Sequence, residues 1–522
     1  MNRFAQALKD GSTFVTTCEL IPGRGHVGKS VDNIMQFVEG IRSVPEVHAL
    51  SITDNAGGNP ALSADVLGSE LIAGGTDIIV HLSCKDMNRN FIEARAFSLM
   101  RSGVTSLLVV TGDYPVTGYL GLPKPVFDMD SVNAIHYLAC MNAGLVVSAG
   151  QKTTRLERTR FLLGAAVSPF KWTEGPCAMQ YVKLEKKLRA GADYLIAQLG
   201  WDARKHAELL QFVRGPLASR VPVMASVYVL TAGAAALMNR GEIPGCYVPD
   251  TLLAAVREEA AAEDKGRRAR LERAARQVAV VRGLGYNGAH IEGLGLRAED
   301  IRFILARSGE LAGDWQRLLG EFTFAPPDPF YYFVDGEQTA APAPDARPAR
   351  RGTPRRRIAS PLFWATRLLH RLFFVRDTAG YRMMRGLSRF LEGHRRWYAA
   401  FSAFERGLKR ALFDCRHCDD CALFETYYLC PEAECPKGMR NGPCGGSRVD
   451  ERCEIFADRF CIWRGIYWRA RNRREADKLE FILPPRDWAL YKTNSWVNYF
   501  LQHDHSGHPV QMCREAEVKP PA

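Results

Sequence analysis

The chain contains no apolar run approaching the ~18 residues that a membrane span needs. Its start, Met1-Asn2-Arg3-Phe4, lacks the apolar stretch of a secretory leader. These two absences give the expectation of a cytoplasmic protein without a membrane span. No G-x-G-x-x-G follows the first candidate strand, which weakens a dinucleotide-binding open-sheet reading. Cysteine is scarce over most of the length: of fourteen, five precede residue 415. Without a leader, such usage points to a reducing compartment and metal ligation and not to a disulfide framework. The net charge of +12 is unevenly spread. Much of it sits between Arg347 and Arg410, so it describes a segment and not the whole surface.

What the chain does have is a dense cysteine cluster. Eight cysteines fall between Cys415 and Cys461. They open as C-x₂-C-x₂-C (Cys415, Cys418, Cys421) and continue with Cys430 before a proline, Cys435, Cys444, Cys453 and Cys461. Short intervals bring thiolates to one soft metal centre without long loop closure. The opening is typical of iron–sulfur ligation, and C-x₂-C steps also suit zinc. Eight thiols suffice for two clusters, for one cluster plus zinc, or for one cluster with spare cysteines.

At 522 residues, two or three domains are expected. Residues 1–325 alternate short apolar runs with helical stretches. Candidate strands are Phe14–Leu20, His48–Asp54, Thr76–His81, Ser106–Thr111, Leu162–Val167, Tyr194–Leu199, Pro222–Ser226 and Gly288–Ile291, with helices such as Asp32–Ile41 and Tyr181–Arg189 between them. Eight strands joined by crossovers suit a (β/α)₈ TIM barrel, and a doubly wound sheet has a similar pattern. Residues 326–361 read as a linker. Its stretch Ala340–Pro361 is rich in alanine, proline and arginine, and almost nothing in it can be buried. No aromatic residue interleaves those arginines, so no nucleic acid partner is expected. Residues 362–522 form a smaller helical, cysteine-rich domain. Leu368, Leu369, Leu372, Phe373, Met384, Leu387, Phe390 and Leu391 recur at helical spacing among arginines. That pattern predicts packing on the domain itself in preference to a membrane surface. The tail's His503-Asp504-His505 reads as a hydrogen-bonded turn in preference to a metal site.

Active residues of such a barrel lie at the C-terminal strand ends. Those ends offer Glu19, Thr53-Asp54-Asn55, His81, Thr111-Gly112-Asp113 and Gln198. A strand-end aspartate alone often caps the next helix. Several polar strand ends at one rim favour a site.

These residues also carry a family resemblance. T-C-E-L-I-P (Thr17–Pro22), S-I-T-D (Ser51–Asp54), H-L-S-C (His81–Cys84), V-V-T-G-D (Val109–Asp113), K-K-L-R-A-G-A-D (Lys186–Asp193) and G-A-H-I (Gly288–Ile291) resemble methylenetetrahydrofolate reductase over about residues 5–305. The resemblance implies a flavoenzyme of one-carbon metabolism and methionine biosynthesis. It would interconvert 5,10-methylenetetrahydrofolate and 5-methyltetrahydrofolate, with FAD as cofactor, FMN as the alternative and NAD(P)H as a further electron source. It implies Glu19 as general acid for the nitrogen freed on ring opening. It also implies Asp113 near flavin and pterin, Gln198 on the folate, Arg297 on the folate tail, Thr53, His81 and Gly112 as flavin contacts, and Lys186 and Lys187 on the flavin phosphates. Thr111 stands where the family has arginine, which removes one phosphate charge. Ala166-Val167-Ser168-Pro169 stands where the family has a tyrosine.

A second resemblance covers about residues 362–510. C-R-H-C-D-D-C-A-L-F-E-T, C-P-K-G-M-R-N-G-P-C-G-G and C-E-I-F-A-D-R-F-C-I-W are similar to the C-terminal domain found with some bacterial methylenetetrahydrofolate reductases. It implies a [4Fe–4S] cluster, with zinc as the alternative, a redox partner protein and a homo-oligomer. The competing expectation is a non-catalytic folate- or partner-binding barrel with a zinc docking module.

Overall fold

The structure is a computed structural model that describes residues 2–149, 152–334, 347–348, 360–510 and 513. Most of the Ala340–Pro361 stretch lies outside the described residues. Eight parallel strands close a barrel: β1 (Val15–Leu20), β2 (Val47–Ile52), β3 (Ile78–Ser83), β4 (Ser106–Val110), β5 (Leu162–Val167), β6 (Tyr194–Ala197), β7 (Val223–Tyr228) and β8 (Gly288–Glu292). Each pairs with its sequence neighbours, and β8 returns to β1, with Val15 opposite Gly288 and Cys18 opposite Ile291. This is the (β/α)₈ barrel expected from the alternating pattern. The strands are rich in β-branched and leucine side chains and are buried on both faces, as parallel strands under helices must be.

The barrel floor is closed by the N-terminal helix Arg3–Asp10. The Asn2 side chain caps it by accepting from the Ala5 amide. Phe4 and Leu8 enter the barrel interior beside Val15, Ile79, Tyr194 and Met224. The Phe4 ring meets Tyr194 edge-on, with centroids 5.5 Å apart. Phe4 is fully buried, so Phe4→Ala should destabilise the barrel by about 3–5 kcal/mol. Denaturant midpoints of the two proteins measure this, and a loss below about 1 kcal/mol would mean the floor is not sealed by this ring.

The C-terminal region sits on the open end of the barrel. Three helices, Pro361–Phe373, Ala379–Glu392 and Arg395–Phe413, lead into the cysteines. The helix Ile462–Arg471 then packs on the barrel helix Glu174–Ala190, with Trp463, Ile466 and Ala470 against Ala178 and Met179. The expected packing of the apolar residues in the first two helices is largely unmet: of the eight, Leu391 is buried, Phe373 and Met384 are half-buried, and Leu368, Leu369, Leu372, Leu387 and Phe390 are exposed. No helix among the described residues is long and apolar enough to cross a membrane. One cysteine pair departs from the metal-ligating expectation: Cys140 and Cys513, 373 residues apart in sequence, form a disulfide.

The H-D-H turn is an anchor. His505 is buried, with Nδ1 2.6 Å from Asp420 Oδ1 and Nε2 3.3 Å from Glu425. Asp420 also receives Arg440 at 2.9 Å. The ring bridges two carboxylates and ties the tail to the loop that carries Cys418 and Cys421.

Candidate active site at the barrel mouth

A cavity of about 280 Å³ opens at the C-terminal strand ends. Its wall includes Glu19, Thr53, His81, Thr111, Gly112, Asp113, Lys187 and Gln198. These residues come from six parts of the barrel. Each β strand ends in a side chain that the pleat turns inward. Two expected site residues are elsewhere. Lys186 is buried beneath the C-terminal region, its Nζ 5.9 Å from the Trp463 ring centre. Arg297 precedes the helix Ala298–Glu310, pairs with Glu299 at 2.8 Å and is two-thirds exposed.

Glu19 is half-buried near the end of β1, with its side chain on the cavity wall. Burial raises its pKa well above the carboxylate range, and the Glu292 charge raises it further. Glu292, at the end of β8, is raised by burial as well, with a Ser226 hydrogen bond pulling the other way. Two enclosed carboxylates in one cavity resist losing both protons near neutral pH. The sequence reading missed Glu292 because it closed the last strand at Ile291. The strand-end rule that selected Glu19 would have selected Glu292 one residue further on.

The two histidines of the mouth are neutral. Burial lowers His81 to about 4 and His290 to about 3. His81 Nε2 lies 2.7 Å from Ser51 Oγ, and His290 Nδ1 lies 2.8 Å from Thr17 Oγ1. Both rings are therefore fixed hydrogen-bonding surfaces and not cations. Asp113 accepts from the Gly57 amide at 2.8 Å. Burial raises its pKa, opposed by Lys437. Gly112 has φ +87°, and a Cβ there would meet Ser83 Oγ at 2.0 Å, so the turn after β4 requires glycine. Lys187 donates to the Ala166 carbonyl at 2.5 Å, and burial lowers its pKa to about 7. Thr111 lies 3.4 Å from Ser131 Oγ.

The roof of the cavity comes from the C-terminal region, which the sequence reading did not foresee. Lys437, Pro443, Cys444, Gly445, Gly446 and Glu454 line it. Lys437 Nζ donates to the Gly112 carbonyl at 2.8 Å and pairs with Glu454 at 2.5 Å. The Asn441 amide donates to Asp130 at 2.9 Å, and Lys183 donates to the Pro443 carbonyl at 3.0 Å. Gly446 allows this approach: a Cβ there would fall 1.4 Å from Glu454 Oε2.

The cavity has the character of a polar ligand site. Ser168 Oγ, Gln180 Nε2 and Glu454 Oε2 line it, are buried, and have no hydrogen-bond partner among the described residues. Buried polar atoms are normally satisfied, so three orphans around one cavity, two from the barrel and one from the roof, fit a ligand that donates and accepts. The volume is near the lower edge of the ~300–1,000 Å³ usual for small-molecule sites.

Glu292 also gives a pH prediction. Its folded pKa is raised from 4.5 to about 7. The folded state therefore binds more protons than the unfolded chain between these values. Its stabilising contribution is full below about 4.5 and disappears as pH rises through about 7. Glu292→Gln should flatten the decline in thermal midpoint over that window, an effect of at most about 3 kcal/mol. An unchanged pH profile would show that Glu292 ionises normally.

The eight C-terminal cysteines fall into two groups in space. Cys415, Cys418, Cys421 and Cys430 surround one small cavity. Cys435, Cys444, Cys453 and Cys461 surround another. Cys444 also lines the barrel mouth.

Residues 161–309 match a family model described as methylenetetrahydrofolate reductase, and residues 396–489 match one described as methylene-tetrahydrofolate reductase C terminal. No curated protein matches the chain. Among solved structures, the chain is similar to an uncharacterized protein from Clostridium thermocellum that binds two copies of 5-methyl-5,6,7,8-tetrahydrofolic acid. The TM-score is 0.41 and the identity 12%, over 60% of this chain and 99% of that one.

Proposed function

We propose, from the match of residues 161–309 to the methylenetetrahydrofolate reductase model and of residues 396–489 to its C-terminal model, that the chain interconverts 5,10-methylenetetrahydrofolate and 5-methyltetrahydrofolate. A flavin at the barrel mouth serves the reaction, and the cysteine-rich region exchanges electrons. Folate chemistry is assigned to residues 1–325, electron exchange to 362–522, and tethering to 326–361. FAD is the first choice of flavin and FMN the second, since Thr111 offers no phosphate charge. NAD(P)H or a redox protein is the external electron source.

The observation that carries this reading is the enclosed Glu19–Glu292 pair beneath a mouth with three unsatisfied polar atoms. Opening the one-carbon bridge leaves an amine nitrogen that takes up a proton, and a carboxyl that stays protonated near neutrality can supply it. Glu19 holds that proton, and Glu292 keeps it from leaving early. Asp113 faces the cavity as a carboxylate acceptor for the paired donors of a pterin edge. Gln198 offers an amide to the same ring. The neutral His81 presents a hydrogen-bonding edge without a competing charge. A bound flavin supplies the hydride chemistry. Thr53, Gly112 and Lys187 would hold it.

The test is anaerobic purification followed by a UV–visible spectrum and titration with 5-methyltetrahydrofolate. The expected result is a flavin spectrum that bleaches as methyl groups are oxidised. A protein that carries no flavin and cannot be reconstituted with FAD or FMN would overturn the proposal. Such a protein with bound zinc would instead support a folate-binding barrel with a docking module.

A further inference from the structure

We infer that the eight C-terminal cysteines form two independent [4Fe–4S] sites, an outer one on Cys415, Cys418, Cys421 and Cys430 and an inner one on Cys435, Cys444, Cys453 and Cys461, the inner site sharing a wall with the barrel mouth. The inference deepens the electron-exchange reading and rests on it. It adds the number of sites, their ligands and their position.

Four observations support the partition. Each set of four thiols encloses its own cavity, of about 20 Å³ in the outer set and about 60 Å³ in the inner. The two sets also draw on separate stretches of chain, residues 415–430 and residues 435–461. In neither set do three sulfurs lie within 4.8 Å of one another. Zinc, with ~2.3 Å bonds to sulfur, draws four sulfurs to about 3.8 Å, a spacing neither set shows, and the C-x₂-C-x₂-C opening of the outer set is the iron–sulfur pattern. Donors also point at the sulfurs. The His417 amide lies 3.5 Å from Cys415 Sγ, Lys409 Nζ 3.3 Å from Cys421 Sγ and the Gly446 amide 3.4 Å from Cys444 Sγ. Such donors stabilise thiolates and the reduced state of a cluster.

The arrangement differs from the interleaved pattern that C-x₂-C-x₂-C…C-P spacing also permits, in which the fourth cysteine serves the other cluster. Here Cys430 closes the set opened by Cys415. Cys430 and Cys435 flank the single helical turn Pro431–Glu434, a rise on the order of 8 Å, so the two sites are neighbours. Cys444 lies 3.3 Å from Glu454, which lines the mouth with Lys437. When loaded, the two sites supply one-electron chemistry in the order outer site, inner site, mouth.

The experiment uses the full chain purified without oxygen. Iron, sulfide and zinc are measured per chain, and dithionite-reduced samples are examined by electron paramagnetic resonance. The expected content is about eight iron and eight sulfide with little zinc. Cys418→Ser should lose about half the iron, and Cys453→Ser the other half. Each should keep its flavin spectrum and lose the broadening that arises from two nearby paramagnets. Alanine variants at the same positions guard against ligation by serine. Wild-type protein with about four iron, or Cys430→Ser that damages both sites, would overturn the partition. One or two zinc ions per chain without sulfide would overturn the iron–sulfur reading itself. Flavin bleaching by methyltetrahydrofolate is scored separately, so the barrel reading stands or falls on its own.

Discussion

A Glu19→Gln variant is expected to keep its flavin and its fold and to lose about 10²–10⁴-fold in folate turnover. The argument starts from burial. Glu19 is the inward-facing residue near the end of β1, half-buried on the cavity wall. Its carboxyl retains a proton first because enclosure disfavours the charge and second because Glu292 is near. Glutamine reproduces the shape and most of the hydrogen bonding but has no acidic proton to give. The loss should therefore fall on kcat, with KM little changed. Glu292→Gln supplies a control of opposite kind. Removing that neighbour lowers the pKa of Glu19, so the limb of the pH–rate profile that reports the acid should move to lower pH. Turnover of Glu19→Gln within tenfold of wild type, with flavin intact, would remove Glu19 from the acid role.

The barrel was legible in the sequence because parallel strands buried on both faces leave short apolar runs at regular spacing. All eight predicted strands overlap the observed ones. Their ends shifted by up to two residues, because the rim loops and not the apolar pattern decide where pairing stops. That shift hid Glu292. Helix geometry explains why one of two adjacent lysines reached the mouth: successive residues point about 100° apart. Lys187 therefore faces the cavity and Lys186 turns under Trp463. Arg297 stands outside the cavity, before the surface helix Ala298–Glu310. The roof was illegible for a different reason. Lys437 and Glu454 are more than 300 residues from the strands they cover. Nothing local in their sequence signals a contact with Gly112; the packing of Trp463 and Ile466 on the barrel helix and the Asn441–Asp130 and Lys183–Pro443 hydrogen bonds bring them there. The cysteine cluster was plain in the sequence, but its division was not, because spacing allows interleaved and sequential sets alike.

The second large effect concerns that roof. Lys437→Met should cost about 3–5 kcal/mol and loosen the C-terminal region from the mouth. Lys437 is almost fully buried, and so is Glu454. Burial opposes the ammonium charge, and Cys444, Glu454 and Asp113 outweigh it. Methionine fills the space of the lysine stem but leaves Glu454 as an unpaired carboxylate with one oxygen already unsatisfied. It also leaves the Gly112 carbonyl without its donor. The cost is thus mainly that of a stranded charge, which can be relieved by removing the partner too. Lys437→Met combined with Glu454→Gln should recover much of the loss, since a neutral pair carries no such penalty. Thermal midpoints of the three variants measure the energy. Protease cleavage ahead of residue 360 reports whether the roof has lifted. If the double variant is as unstable as the single one, the pair does not hold the roof through its charges. Seating would then rest on the Trp463 and Ile466 contacts and on the Asn441–Asp130 and Lys183–Pro443 hydrogen bonds.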